Sequence, residues 1–312
     1  GITLDGNKPN QSSGTSYPLR FYGYDFELSR LEILNGYSGG LLCDWNYGSG
    51  IAPPSDQMEA IFDTIKIHDN NNIGLQMGGP HDSRLINILI FSNGSHNFHF
   101  GPNANGIQGS NMHAYLVPNV TGVCNWLIEI AFGCNFVNCI SDGGYATGVA
   151  IIGTSVAWQG EIYTSNSGVT GVQIGQQAGN TPFPGQVNQS AGVTTAVQAS
   201  ATFLNASING CTGGGINVAN EVNSYLLANI FQISGNAIVG TLAASDTYLI
   251  KVTGLTPDGT LATSGGMQIV SSANPAFKIL NNAGGTIFHV DGFAGGTSGV
   301  DVPGGFHIVA GG

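Results

Sequence analysis

The amino-acid sequence predicts an all-β fold, a parallel β-helix whose C-terminal end is covered by a β-rich cap, and three observations lead there. Gly supplies 49 of 312 residues, about twice its usual share, and Asn supplies 30. Residues of this kind favour turns and caps over helix interiors. A short unit recurs along the chain at intervals of 22–26 residues. Inside each unit apolar residues alternate with period two, and no stretch of about 10–12 residues carries helical periodicity.

The unit is an apolar run, a polar turn centred on Asn or Asp, then Gly and a second apolar run. It reads LEILNGYSGGLLC (31–43), DTIKIHDNNNIGLQM (63–77), NILIFSNGSHNFHF (87–100) and YLVPNVTGVCNWLI (115–128). It continues as VNCISDGGYATGVAI (137–151), EIYTSNSGVTGVQI (161–174), ASINGCTGGGINV (206–218) and FQISGNAIVGTL (231–242). The turn residues Asn70, Asn93, Asn119, Asp142 and Asn166 lie 23, 26, 23 and 24 apart, and Gly171 to Gly215, 44 residues, fits two coils of 22. A period in this range marks a solenoid or an array. Helical, leucine-rich and propeller-blade motifs are missing, which leaves coils stacked about 4.8 Å apart around an apolar column. The turn Asn residues then have a structural role, because Asn tolerates the left-handed bend and can hydrogen-bond to its copy in the next coil.

Composition also excludes partners. Seven Lys and Arg scattered from Lys8 to Lys278 make no patch for a phosphate backbone, so nucleic acid is not expected. The longest apolar runs, Leu85 to Phe91 and Trp126 to Phe132, fall short of the roughly 18 residues a membrane span needs. The chain opens on a polar segment without Met, as a mature, processed or truncated product would. Cys43, Cys124, Cys134, Cys139 and Cys211 show no zinc spacing and read as buried thiols filling small core positions. His96 and His99, three apart on a strand, should face opposite ways, so no metal site is expected. No nucleotide or cofactor fingerprint is present, and none is expected to be needed.

The opening ITLDGNKPNQ (2–11), followed by LSRLEILNGYSGGLL and FDTIKIHDNNNIGLQM, resembles the pectate-lyase-like right-handed parallel β-helix superfamily. The likeness is to the form found in bacteriophage tailspikes and related polysaccharide-degrading proteins, and it covers roughly residues 1–245. It implies a right-handed β-helix over 1–245 and a capping or trimerisation region over 246–312. It also implies a homotrimer at the virion surface or outside the cell, with a polysaccharide as partner. A small carbohydrate-binding module is the alternative for the C-terminal region. The chain departs from polygalacturonase-type members in having no Asp-Asp pair, no Gly-His-Gly and no Arg-x-Lys, which disfavours pectin hydrolysis by that set. Asp82 beside Arg84 is the one local pointer toward the lyases.

Glycoside hydrolysis usually takes two carboxyl groups, about 5–5.5 Å apart for retention and about 6.5–9.5 Å for inversion. Equivalent positions on a β-helix lie about 4.8 Å apart on neighbouring coils and about 9.6 Å apart two coils away. Asp44 and Asp82 each follow the second strand of a unit and form the expected catalytic pair. Trp45 and Tyr47 beside Asp44, and His81 and Arg84 beside Asp82, are the expected sugar contacts. Glu59, in a DQME segment that a helical turn capped by Asp56 could form, is a third candidate. Glu32 and Asp63 read as outward solubility charges. Two insertions, 45–58 and 175–193, should form loops on one face. Ten of the 18 acids lie in residues 1–82, whereas 162–245 contain only Glu221 and no Lys or Arg. The charge-poor half is expected to face other copies of the chain or a polar glycan. The expected function is binding and cleavage of a cell-surface or extracellular polysaccharide, by hydrolase or lyase chemistry. The alternative is a noncatalytic β-helical fibre or adhesin.

Overall fold

A computed structural model describes residues 1–12, 16–21, 25–43, 59–78, 81–117, 122–129, 133–144, 147–163, 170–184, 186–187, 192, 198–209, 211, 214–220, 224–231, 238–240, 247–253, 277–280 and 286–290. Two long parallel sheets run along the molecule. The first stacks Ile2–Asp5, Phe26–Leu34, Ala60–His68, Arg84–Phe91, His113–Val117, Cys134–Gly144, Val156–Tyr163, Ala201–Asn209, Tyr225–Phe231 and Thr247–Thr253, with the short Gln108–Ser110 joining Arg84–Phe91 to Cys134–Gly144. The second stacks Leu19–Phe21, Gly39–Cys43, Ile73–Met77, Phe98–Phe100, Cys124–Ile128, Thr147–Ile151, Thr170–Ile174, Gly214–Val218 and Ile238–Gly240. The chain alternates between the two sheets coil after coil, which is the parallel β-helix that the repeat predicts.

Left-handed residues shape the coil. The strands of the first sheet bend midway at Arg30, Thr64, Asn87 and Asn138, with Asn111 at the same level, all at φ between 52° and 58°. A second column, Asn35, Asp69, Ser92 and Leu116, turns the chain from the first sheet toward the second. A third, Asp25, Asp82, Gly106, Gly133 and Ser155, turns it back into the first. Asn and Asp tolerate this region because their short polar side chains bond locally, and most other side chains are strained there. The high Asn and Gly content is thus the requirement of three corners repeated in every coil.

The predicted Asn ladder exists, but the expectation that the same residues take the left-handed bend is corrected: the bend falls on Asp69 and Ser92, one residue before Asn70 and Asn93. Asn70 Nδ2 donates to Asn93 Oδ1, Asn93 Nδ2 to Asn97 Oδ1 and Asn97 Nδ2 to Asn125 Oδ1, each at 2.8 Å, and Asn125 Nδ2 reaches Ser141 Oγ at 3.0 Å. Asn97 and Asn125 carry it onward from Asn93, where the repeat had suggested Asn119, which lies outside the described residues. A second ladder runs outside along the mid-strand bend: Asn138 to Asn111, Asn111 to Asn87 and Asn87 to Asp63. Asp63 therefore terminates a ladder as well as carrying charge.

Side chains alternate between solvent and a continuous apolar column. Its middle is aromatic: Phe98 stacks on Trp126 at 4.0 Å, and Trp126 meets Trp158 edge-on at 4.8 Å. All five cysteines are free and buried. Burial pushes the Cys134 and Cys139 thiols up to about 12, so they remain protonated and inert.

The reading of 171–215 as two coils is corrected. Val172 pairs directly with Ile216 and Trp158 with Phe203, so this stretch is one coil, and its extra length lies outside the stack. Beyond it, Thr247–Thr253 pairs in parallel with Tyr225–Phe231, and Phe277–Leu280 forms an antiparallel hairpin with Thr286–Val290.

Candidate functional site

A groove of about 500 Å³ opens where the chain enters the first sheet. Phe26, Ala60 and Ser83 occupy inward positions at this edge, so the residues on either side of each face outward. Asp25 and Glu27, Glu59 and Ile61, and Asp82 and Arg84 come together in this way on three successive coils. Extending the Phe26↔Ala60 and Ile61↔Arg84 registers by one and two residues sets Asp25, Glu59 and Asp82 in one column, about 4.8 Å from coil to coil. Glu27, Ile61, Arg84 and Gln108 form the column beside it.

The structure fixes Asp82 from three sides. Its N–H donates to the Asn105 carbonyl at 2.8 Å, and His81 Nδ1 bonds Oδ2 at 2.8 Å. Its other oxygen lies over Gly106, where an added Cβ would collide with it. Gly106, at φ 71°, therefore satisfies both the corner and the room its neighbour needs. Further along the same column Gly106, Gly133 and Ser155 replace the acids.

Of the residues expected from sequence, Glu59, Asp82 and Arg84 meet in this groove, and His81 holds Asp82. Asp44, Trp45 and Tyr47 lie outside the described residues, as does the Asp56 segment. Asp25 and Glu27 are additions. Their signal is present in the phase of the strand Phe26–Leu34, whose outward positions they share, but they precede the first copy of the repeat unit.

Two other polar clusters differ in character. On the outer face of the first sheet Glu32 bonds Lys66 at 2.9 Å, His68 at 3.2 Å and Thr3 at 3.2 Å, and these partners hold its carboxyl down at about 2. His68, Phe91 and Tyr115 stack beside it at 4.8 and 4.6 Å, so their faces are already covered by one another.

The second cluster lies beneath the 175–193 insertion, whose described part straps across the second sheet. Phe183 packs with Cys124, Leu127, Ala150 and Ile152. Glu129 accepts the Val187 N–H on both oxygens at 2.9 and 3.0 Å and bonds His99 Nε2 at 2.6 Å. His96 accepts the Cys124 N–H at Nδ1 and donates from Nε2 to the Pro184 carbonyl, both at 2.9 Å. Burial lowers its pKa to about 4, so the ring is neutral at pH 7. The expectation that His96 and His99 face opposite ways is corrected: their rings lie 6.3 Å apart, because His96 precedes the strand Phe98–Phe100 and only His99 obeys its alternation. No group of three or more metal-ligating side chains in position for an ion is found among the described residues.

No family model matches the chain, and no curated protein matches it. Among solved structures it is similar to the A-module of the mannuronan C-5 epimerase AlgE4 of Azotobacter vinelandii. The identity is 16%, the TM-score is 0.56, and the match covers 86% of this chain and 71% of that one. At this identity the likeness is one of fold, and it agrees with the parallel coils described above.

Proposed function

We propose that the protein binds a polysaccharide in the groove at the edge of the first sheet and hydrolyses it there, with Glu59 and Asp82 as the carboxylate pair. The observation that carries this reading is the convergence of Asp25, Glu27, Glu59 and Asp82 with Arg84 around one cavity. The fold is shared with an enzyme whose name describes action on mannuronan, which supports a polysaccharide as partner. Glu59 and Asp82 sit at equivalent positions on neighbouring coils, a backbone spacing of about 4.8 Å that suits a retaining pair. One carboxyl group protonates the glycosidic oxygen as it leaves while the other attacks the anomeric carbon. Water then cleaves the resulting ester, with the first group acting as base. Arg84 and Gln108 hold sugar oxygens beside them. A homotrimeric, tailspike-like arrangement at a virion surface or outside the cell, and a capping role for the C-terminal region, belong to the same reading.

The test is a screen on bacterial capsular and exopolysaccharides that follows reducing ends, product anomer and the absorbance of unsaturated uronate. New reducing ends without that absorbance, lost in Glu59→Gln and Asp82→Asn, are expected. Unsaturated product would replace the hydrolase with a lyase. The fibre or adhesin reading has its own support in the left-handed corner, which favours Asp at 25 and 82 for the backbone alone. Binding without cleavage of any glycan would select it.

A further inference from the structure

We propose that the polysaccharide taken by this groove is uncharged and lies along the solenoid axis, an inference that rests on reading the groove as a glycan site. The cavity around Asp82 continues into a second of about 220 Å³, and the two share Arg84 and Gln108. The shared residues belong to successive coils, so the combined groove crosses the strands and follows the axis.

Charge is distributed unevenly along it. At one end, among the described residues, four exposed carboxylates face a single guanidinium. At the other the floor is Gln108, Ser110 and Asn135 with Ile86 and Val137, and its described residues bear no charge beyond Arg84 itself. Amides and a hydroxyl match sugar hydroxyls and acetamido groups, and the aliphatic side chains cover C–H faces. Val137 is 37% exposed, and further along the same outer surface Leu204 and Tyr225 are also exposed.

A polyuronate carries a carboxylate on every sugar. Arg84 can hold one of them, while the acids of the first column and Glu27 repel it and its neighbours within a Debye length of about 8–10 Å. A polycation would be drawn to the acidic end and would leave the amide and aliphatic floor without a matching role. An uncharged chain uses both ends, with sugar contacts on the floor and bond cleavage among the acids.

The experiment is affinity electrophoresis of the intact protein through gels containing neutral polymers (dextran, galactomannan and neutral bacterial exopolysaccharides), alginate, polygalacturonate or chitosan, at low and at 0.3 M salt. Retardation by at least one neutral polymer, little changed by salt, and none by the polyuronates is expected. Asp25→Asn with Glu27→Gln should then produce polyuronate retardation at low salt where the native protein shows none. Native protein held more strongly by alginate or polygalacturonate than by every neutral polymer overturns the proposal and leaves the glycan site standing. Tightest retention by chitosan, abolished by salt, overturns it in the same way. No gain of polyuronate retention in the double variant removes the repulsion on which it stands. Retention by none of the polymers defeats the glycan reading itself.

Discussion

Two of the molecule's histidine–carboxylate pairs stand in opposite settings. His81 and Asp82 meet at 2.8 Å at the rim of the groove with side chains 25% and 43% exposed, whereas His99 and Glu129 meet at 2.6 Å beneath the strap at 1% and 0%. The outer pair keeps solvent access and lies beside Glu59 and Arg84, so its carboxylate can meet a substrate. The inner one is spent on structure, since both Glu129 oxygens also hold the Val187 N–H. Similar chemistry is thus left open to a ligand in one place and used for loop anchoring in the other, and burial makes the difference.

The largest expected effects separate these roles. Asp82→Asn keeps a residue that tolerates the left-handed corner, so stability should change by no more than about 0.5 kcal/mol while turnover falls about 10²–10⁴-fold. Equal activity in the variant would falsify the catalytic assignment. Glu129→Ala should instead destabilise the fold by about 3–5 kcal/mol, because a buried pair loses one partner and the strap its anchor. Urea unfolding checks this; an unchanged midpoint would mean that the strap contributes nothing.

Acid sharpens the comparison further. His96 has a folded pKa of about 4 against an ordinary value near 6.5, so the unfolded chain binds the proton more readily. Its contribution is fully present above about pH 6.5 and is lost as pH falls toward and through 4, for a total of about 3 kcal/mol. Unfolding measured at pH 7 and pH 4.5 should show most of that loss, and His96→Asn should flatten this part of the profile. A smaller effect is expected at Leu116, an exposed, branched side chain at φ 55°. Leu116→Asn should stabilise by about 1 kcal/mol by relieving that corner, as read from the thermal midpoint.

The architecture was legible because a solenoid repeats its physics in every coil. Alternation within LEILNG and IKIHDN, an Asn or Asp at the turn and a regular interval between copies are local signals that need no distant contact to be read. They misled where one coil departed from the rest. The length of 171–215 suggested two stacked coils, whereas Phe183 and Val187 find partners on the outside of the second sheet and Gln186 bonds Gln176 within the insertion. A Pro- and Gln-rich segment can satisfy its amides there and leave the stack uninterrupted.

The groove was legible only in part. Sequence singled out Asp82, Glu59, Arg84 and His81, since acids at unit boundaries stand out in a chain with so few charges. It did not bring in Asp25 and Glu27, because the extra residues of the 45–58 insertion make the interval between the first coils irregular and hide their register with Glu59.

By itself the sequence determined the class of fold, the need for Asn, Asp and Gly at its corners and the apolar column, all set by the conformational tolerance and hydrophobicity of single residues repeated along the chain. Tertiary structure alone decided which acids share a cavity, which histidines are buried and which insertion becomes a strap. Those outcomes depend on the register between coils, where a shift of one residue turns a side chain from solvent to core.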